Sequence, residues 1–145
     1  MKISKIVFLI LIISSSISFA QEKEIDVPVT ILEDIPKFPN CINDSNDNIQ
    51  DSKMCFIQEM SNHIKLNFRY PSVAKKKKIQ GRVVVKFIIN KEGNVINVET
   101  NAPEGCELLE EEAARIINLL PKFKPGEQRG EPVNVSYAQP IMFKL

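Results

Sequence analysis

Few residues in this chain have the chemistry to act on a substrate. His63 is the one histidine among 145 residues, and tryptophan is absent. No serine or cysteine is placed by pattern for His63 to activate, so nucleophilic catalysis has no visible pair. A histidine beside the apolar stripe of a helix reads instead as a solvent-facing or half-buried structural side chain. Glu110, Glu111 and Glu112 gather three carboxylates in sequence. Consecutive helix positions point in different directions, which suits a solvated face better than paired acid–base work. Lys75 to Lys78 form a cationic run that could meet anionic headgroups or a peptidoglycan stem, but four lysines before a strand read more simply as a solvated turn. No cysteine–histidine spacing suggests zinc. The expectation is a binding protein, not an enzyme, with no cofactor, metal or small-molecule substrate.

The cysteines offer covalent chemistry of another kind. Cys41 and Cys55 bracket a polar stretch, Ile42 to Met54, and closing that loop stabilises by roughly 3 kcal/mol in the chain-entropy model. That favours a Cys41–Cys55 disulfide with Cys106 left over. Three reduced thiols, or a bridge through Cys106, are the alternatives. Cys106 stands just ahead of a helix N-terminus, a position that lowers thiol pKa, and is the candidate reactive thiol.

An oxidising compartment is implied by the first residues. Lys2 and Lys5 precede an apolar run from Ile6 to Ile13, and Ser18-Phe19-Ala20 supplies the small residues of a signal-peptidase site. Residues 1–20 are expected to be a cleaved signal peptide that delivers the chain to the periplasm. The alternative is an uncleaved inner-membrane anchor from Ile6 to Phe19. Without residues 1–20, Lys+Arg falls from 19 to 17 against 18 acids. A near-neutral chain with no basic stripe excludes nucleic acid as the expected partner.

Residues 21–52 hold prolines and scattered acids without a period, and read as an extended tether with a short strand at Val27 to Leu32. Order is expected from Lys53. Ile57, Met60, Ile64 and Phe68 form one stripe of an amphipathic helix that Pro71 terminates, and a short turn of helix follows at Ser72 to Lys78. The period then becomes two. Val83, Val85, Phe87 and Ile89 share one strand face and Arg82, Val84, Lys86 and Ile88 the other. Lys91-Glu92-Gly93-Asn94 is a hairpin loop, and Ile96 and Val98 continue the return strand. Leu109, Ala113, Ile116, Ile117 and Leu120 lie at helical spacing from Glu107 to Leu120. A last strand runs from Val133 to Leu145. This order predicts an α+β fold in two layers, with the first strand between the other two (order 2-1-3). Pro140 agrees, because proline in a sheet is confined to edges, strand starts and bulges. Phe123 and Pro125 are expected to pack the end of the helix onto the sheet.

From Tyr70 onward the residues resemble the C-terminal domain of the TonB energy-transducer family, in the form common among Bacteroidetes. Tyr70-Pro71, Ala74, Ile79, Gly81, Val83, Phe87, Gly93, Val95 and Val98 look like its opening hairpin. Glu112-Ala113, Arg115, Leu120-Pro121, Phe123, Pro125-Gly126, Gly130, Val133, Pro140-Ile141 and Phe143 look like its helix and closing strand. The resemblance covers residues 53–145 and implies two helices on a three-stranded antiparallel sheet. It also implies that an edge strand captures an extended segment of an outer-membrane transporter or other envelope protein by β-augmentation. The expected partner-binding residues are Val133, Val135, Ser136, Tyr137, Ala138, Pro140, Ile141 and Phe143. A second copy of the chain, as a homodimer, is a further candidate partner. The family's transducers carry a membrane helix and a long proline-rich spacer. Here the leader reads as cleavable, and a tether of about 32 residues spans at most ~110 Å, so a soluble relative is expected. The other functional reading is a structural envelope adaptor with no role in energy transduction. It would clip to a folded partner through Val84 and Ile88, flanked by Arg82 and Lys86.

Overall fold

Residues 26–42 and 48–145 are described by the computed structural model. The expected signal peptide, its cleavage site and the first residues of the tether lie outside them.

Helix α1 runs over Ile49–Asn67, beginning ahead of Lys53. Asn48 supplies the reason: its side chain accepts from the Gln50 amide at 3.0 Å, satisfying a donor that the first turn would otherwise orphan. The buried stripe of α1 is also rotated from the expected one. Phe56 and Met60 are buried, whereas Ile57 is 61% exposed. Cys55 and Phe56 are held from the core side, by a disulfide and by aromatic packing, and this sets the helix's rotation. Phe68 leaves helical geometry, and Pro71 caps the one-turn helix α2, Ser72–Lys76.

Strand β2, Gly81–Ile89, buries Val83, Val85, Phe87 and Ile89 and leaves Arg82 and Lys86 exposed. A turn closed by the Gly93 amide on the Asn90 carbonyl leads into β3, Val95–Asn101. Helix α3, Glu107–Asn118, lays Leu109, Ala113, Ile116 and Ile117 on the sheet. After it come a small hairpin, β4 (Gly126–Gln128) with β5 (Glu131–Val133), and the long closing strand β6, Val135–Phe143. The expected strand from Val133 is therefore broken at Asn134, with Val133 in the hairpin.

β2 pairs antiparallel with β3 on one side and β6 on the other, which is the expected order. The α+β class and two layers hold, with helices on one face of the sheet and the other face open. Two features depart from it. Among the described residues there are three α-helices, counting α2, and the sheet has a fourth strand: β1, Val27–Pro28, pairs parallel with β6.

The tether reading of residues 21–52 needs the larger correction. Leu32, Ile35, Phe38 and Cys41 are all buried in the core. The Asp34 and Glu127 backbones bond each other in both directions, and so do those of Lys37 and Lys124. Phe38 packs edge-on against Phe123 with ring centroids 4.6 Å apart, and lies 5.2 Å from Phe56. Phe123 does pack the end of α3 onto the sheet, as expected, but it does so against this segment. The folded body thus includes residues 32–41. The spacing of three between those buried residues matches a chain that turns once every three residues, ending in a 3-10 turn over Pro39–Cys41.

Candidate functional site

The outer side of β6 is the place where backbone chemistry is left open. Its register fixes which groups point outward. Pro140 lies opposite Val84 and has no N–H to give, which suits a pair that does not exchange hydrogen bonds. The Val27 amide donates to the Asn134 carbonyl at 2.9 Å from the outer side. Both observations put the backbone groups of even-numbered residues on the outer edge: Ser136, Ala138, Pro140 and Met142. The odd-numbered residues bond β2.

That parity sorts the expected partner-binding residues. Val135, Ile141 and Phe143 are buried and Tyr137 is half-buried, so their side chains face the helices. Val133 lies outside β6. Ser136 faces β1 across the parallel pairing with Pro28. Ala138 and Pro140 remain on the exposed stretch, joined by Met142, which nothing in the sequence marks because its exposed side chain breaks no pattern. Beyond Ser136 no strand pairs with this edge among the described residues. Pro140 lacks a donor, and its carbonyl accepts from the Gln139 side chain at 3.0 Å. The open portion therefore offers regular donors only at Ala138 and Met142.

Helix α1 runs beside this edge and makes a groove with it. Met60, Ser61 and Ile64 line one wall and Gln139 and Pro140 the other, enclosing ≈ 350 Å³. Phe56 and Ile57 continue the wall toward Val29 and Tyr137. The Tyr137 ring stacks on Phe56 at 4.8 Å and on Phe87 at 5.7 Å. Its hydroxyl is buried with no hydrogen-bond partner among the described residues, and burial pushes its ionisation well above the ordinary tyrosine range.

The groups singled out for chemistry take structural places. The Cys41–Cys55 disulfide is present and joins the N-terminal segment to α1. Cys106 is free but buried, with Sγ 3.8 Å from the Gln80 carbonyl oxygen, so it lacks the exposure of a reactive thiol. The His63 Nε2 lies 2.8 Å from the Ile116 carbonyl oxygen, tying α1 to α3. Glu112 departs from the solvated face expected for the acidic run, because it is buried and paired. The Arg69 amide donates to its Oε1 at 2.9 Å, and Arg115 donates to both carboxylate oxygens at 2.6 and 2.8 Å. Burial alone would raise the Glu112 pKa, but these donors outweigh it and hold the carboxyl below its ordinary value. Lys75 to Lys78 are exposed, as a solvated turn requires. No group of metal-ligating side chains occurs among the described residues.

The β6 edge and its groove belong to a sheet covered by helices on one face, and the sequence can be placed in a family. Residues 67–145 match the family model of the Gram-negative bacterial TonB protein C-terminal. The chain belongs to the TonB C-terminal domain family. Protein TonB of Vibrio cholerae serotype O1 is 35% identical over 77 residues, 53% of this chain and 31% of that protein's length. The chain thus matches less than a third of the TonB relative. Two solution structures of the Helicobacter pylori TonB C-terminal domain are also similar. One, of residues 179–285, has 27% identity, covers 62% of this chain and 80% of its own, and gives a TM-score of 0.47. The other, of residues 194–285, has 25% identity, covers 61% and 92%, and gives 0.42. Among the described residues, no helix is long and apolar enough to cross a membrane.

Proposed function

We propose that this TonB C-terminal domain works in the periplasm as a binding module for transport. It captures an extended segment of an outer-membrane transporter, or of another envelope protein, as an added strand on β6. The observation that carries this reading is the open outer edge from Ala138 to Met142. Its backbone groups point outward beside an apolar groove. An added strand satisfies such groups while the groove selects its side chains. Each hydrogen bond contributes about 0.5–1.5 kcal/mol net, so the edge supplies part of the roughly 8 kcal/mol of micromolar binding and the groove must supply the rest.

Ala138 is the residue to test, because its amide faces outward on a stretch that β1 does not cover. Ala138→Pro is expected to abolish capture of outer-membrane transporters from envelope extract while leaving thermal unfolding within a few degrees. Neutralising Lys75 to Lys78 is expected to leave capture intact. Full capture by a folded Ala138→Pro chain sinks the edge reading. Val84 and Ile88, half-exposed on the open sheet face, support the adaptor as the second reading. Loss of capture on charging those two residues, with Ala138→Pro unaffected, would establish it. Periplasmic delivery rests on the leader, and intact mass of the exported protein is expected to begin at Gln21. Retention of residues 1–20 in a membrane fraction contradicts cleavage and favours the inner-membrane anchor.

A further inference from the structure

The edge assigned above to a partner is already partly occupied by the chain itself. Val27 and Pro28 lie parallel to Val135 and Ser136. The Val27 amide donates to the Asn134 carbonyl, and the Asn134 side-chain amide lies 3.4 Å from the Asp26 carboxylate. Leu32 is buried and the chain from there to Cys41 is fixed by core packing, backbone pairing with residues 124 and 127, and the disulfide. Residues 26–31 are held more lightly, by the β1 pairing and by the half-buried Val27 and Val29 side chains against the core. They hold a two-residue strand and one short 3-10 turn with no buried residue, and Ile31 is 63% exposed. A lightly held segment therefore adjoins a firmly packed one at Leu32.

We propose that residues 26–31 are a resident strand that competes with the partner for the β6 edge, making capture autoinhibited. The proposal rests on the edge reading above and adds regulation to it. Pro140 interrupts the open part of the edge and Gln139 covers its carbonyl. A partner confined there meets only the Ala138 and Met142 donors in regular positions. Displacing β1 returns the Asn134 carbonyl and the Ser136 position to it. The resident strand also has an advantage a free segment lacks, since its tether keeps its local concentration high. When the competent state is only a fraction of the population, apparent affinity falls by that same fraction.

The test uses the full chain and a peptide of its own residues 26–33 as the probe, with NMR shifts of the Ser136, Ala138 and Met142 amides as the readout. Val27→Pro removes the donor to Asn134. Val27→Asp keeps the amide and removes the half-buried apolar contact, so either variant can answer if the other misfolds. Both are expected to speed Ser136 amide exchange and to bind the probe about tenfold more tightly than the unaltered chain, the factor that corresponds to 1.4 kcal/mol. Equal affinity in altered and unaltered chains overturns the autoinhibition, and so does a folded variant that takes no peptide. Adding Ala138→Pro to Val27→Asp separates the two readings. If transporter capture needs Ala138 but never improves with Val27→Asp, autoinhibition fails alone. If capture ignores Ala138, the edge reading fails with it.

Discussion

Gly93→Ala and Gly105→Ala make a matched pair that isolates one contact. The two glycines have nearly the same backbone, with φ of 87° and 86°, so replacing either forces alanine into a left-handed conformation costing about 1–2 kcal/mol. Their surroundings differ. A Cβ on Gly105 meets nothing within 4 Å, whereas one on Gly93 falls 1.9 Å from the Phe123 carbonyl oxygen. Ordinary carbon–oxygen contacts are roughly 3.3–3.6 Å, so the hairpin must separate from Phe123 by more than an ångström. That strains the bond from the Phe123 amide to the Gly93 carbonyl, worth about 0.5–1.5 kcal/mol. It also loosens Phe123 against Phe38 and Phe56, an overpacking cost of about 1–3 kcal/mol. Gly93→Ala is therefore expected to lose about 3–5 kcal/mol and Gly105→Ala about 1–2 kcal/mol. Far-UV circular dichroism on heating should place the Gly93 variant's midpoint roughly 10 °C below that of the Gly105 variant. Coincident midpoints would refute the steric account and leave only backbone conformation.

Other perturbations address the clamps between elements. Glu112→Ala strands the Arg69 amide and is expected to cost about 1–3 kcal/mol, with little credit for the ion pair because Arg115 is 35% exposed. The depressed Glu112 pKa means its charge-linked stability is full above the unfolded carboxylate value, about 4.3, and is lost as pH falls through the lower folded value. The gap between the urea midpoints of the two chains should therefore narrow as pH falls below the unfolded carboxylate value, and a gap that ignores pH would contradict this. Replacing Cys41 and Cys55 with serine opens a loop of sequence separation 14 and is expected to lower stability by about 3 kcal/mol. An unchanged urea midpoint would show that the aromatic cluster alone fixes the N-terminal segment.

The sequence by itself determined the elements whose periodicity is local. Alternation from Val83 to Ile89, helical spacing from Leu109 to Ile117 and the Gly93 turn each follow from a single segment and its own geometry. The loop length between Cys41 and Cys55 favoured the right pairing for a similar reason, since closure entropy depends mainly on separation along the chain. Pro140 marked the closing strand as an edge because a missing amide is a property of one residue. Only the tertiary structure decided what those segments meet. Residues 32–41 carry no helical or strand period, and their spacing of three becomes a core signal only when β4 and Phe123 supply the surface that buries it. Glu112 is indistinguishable from Glu110 and Glu111 until Arg69 and Arg115 converge on it from two helices' ends. The rotation of α1 that buries Phe56 and exposes Ile57 is set by partners distant in sequence. The pairing of Val27 with β6 is likewise non-local, and it turns the edge from an open surface into one that the chain itself partly covers.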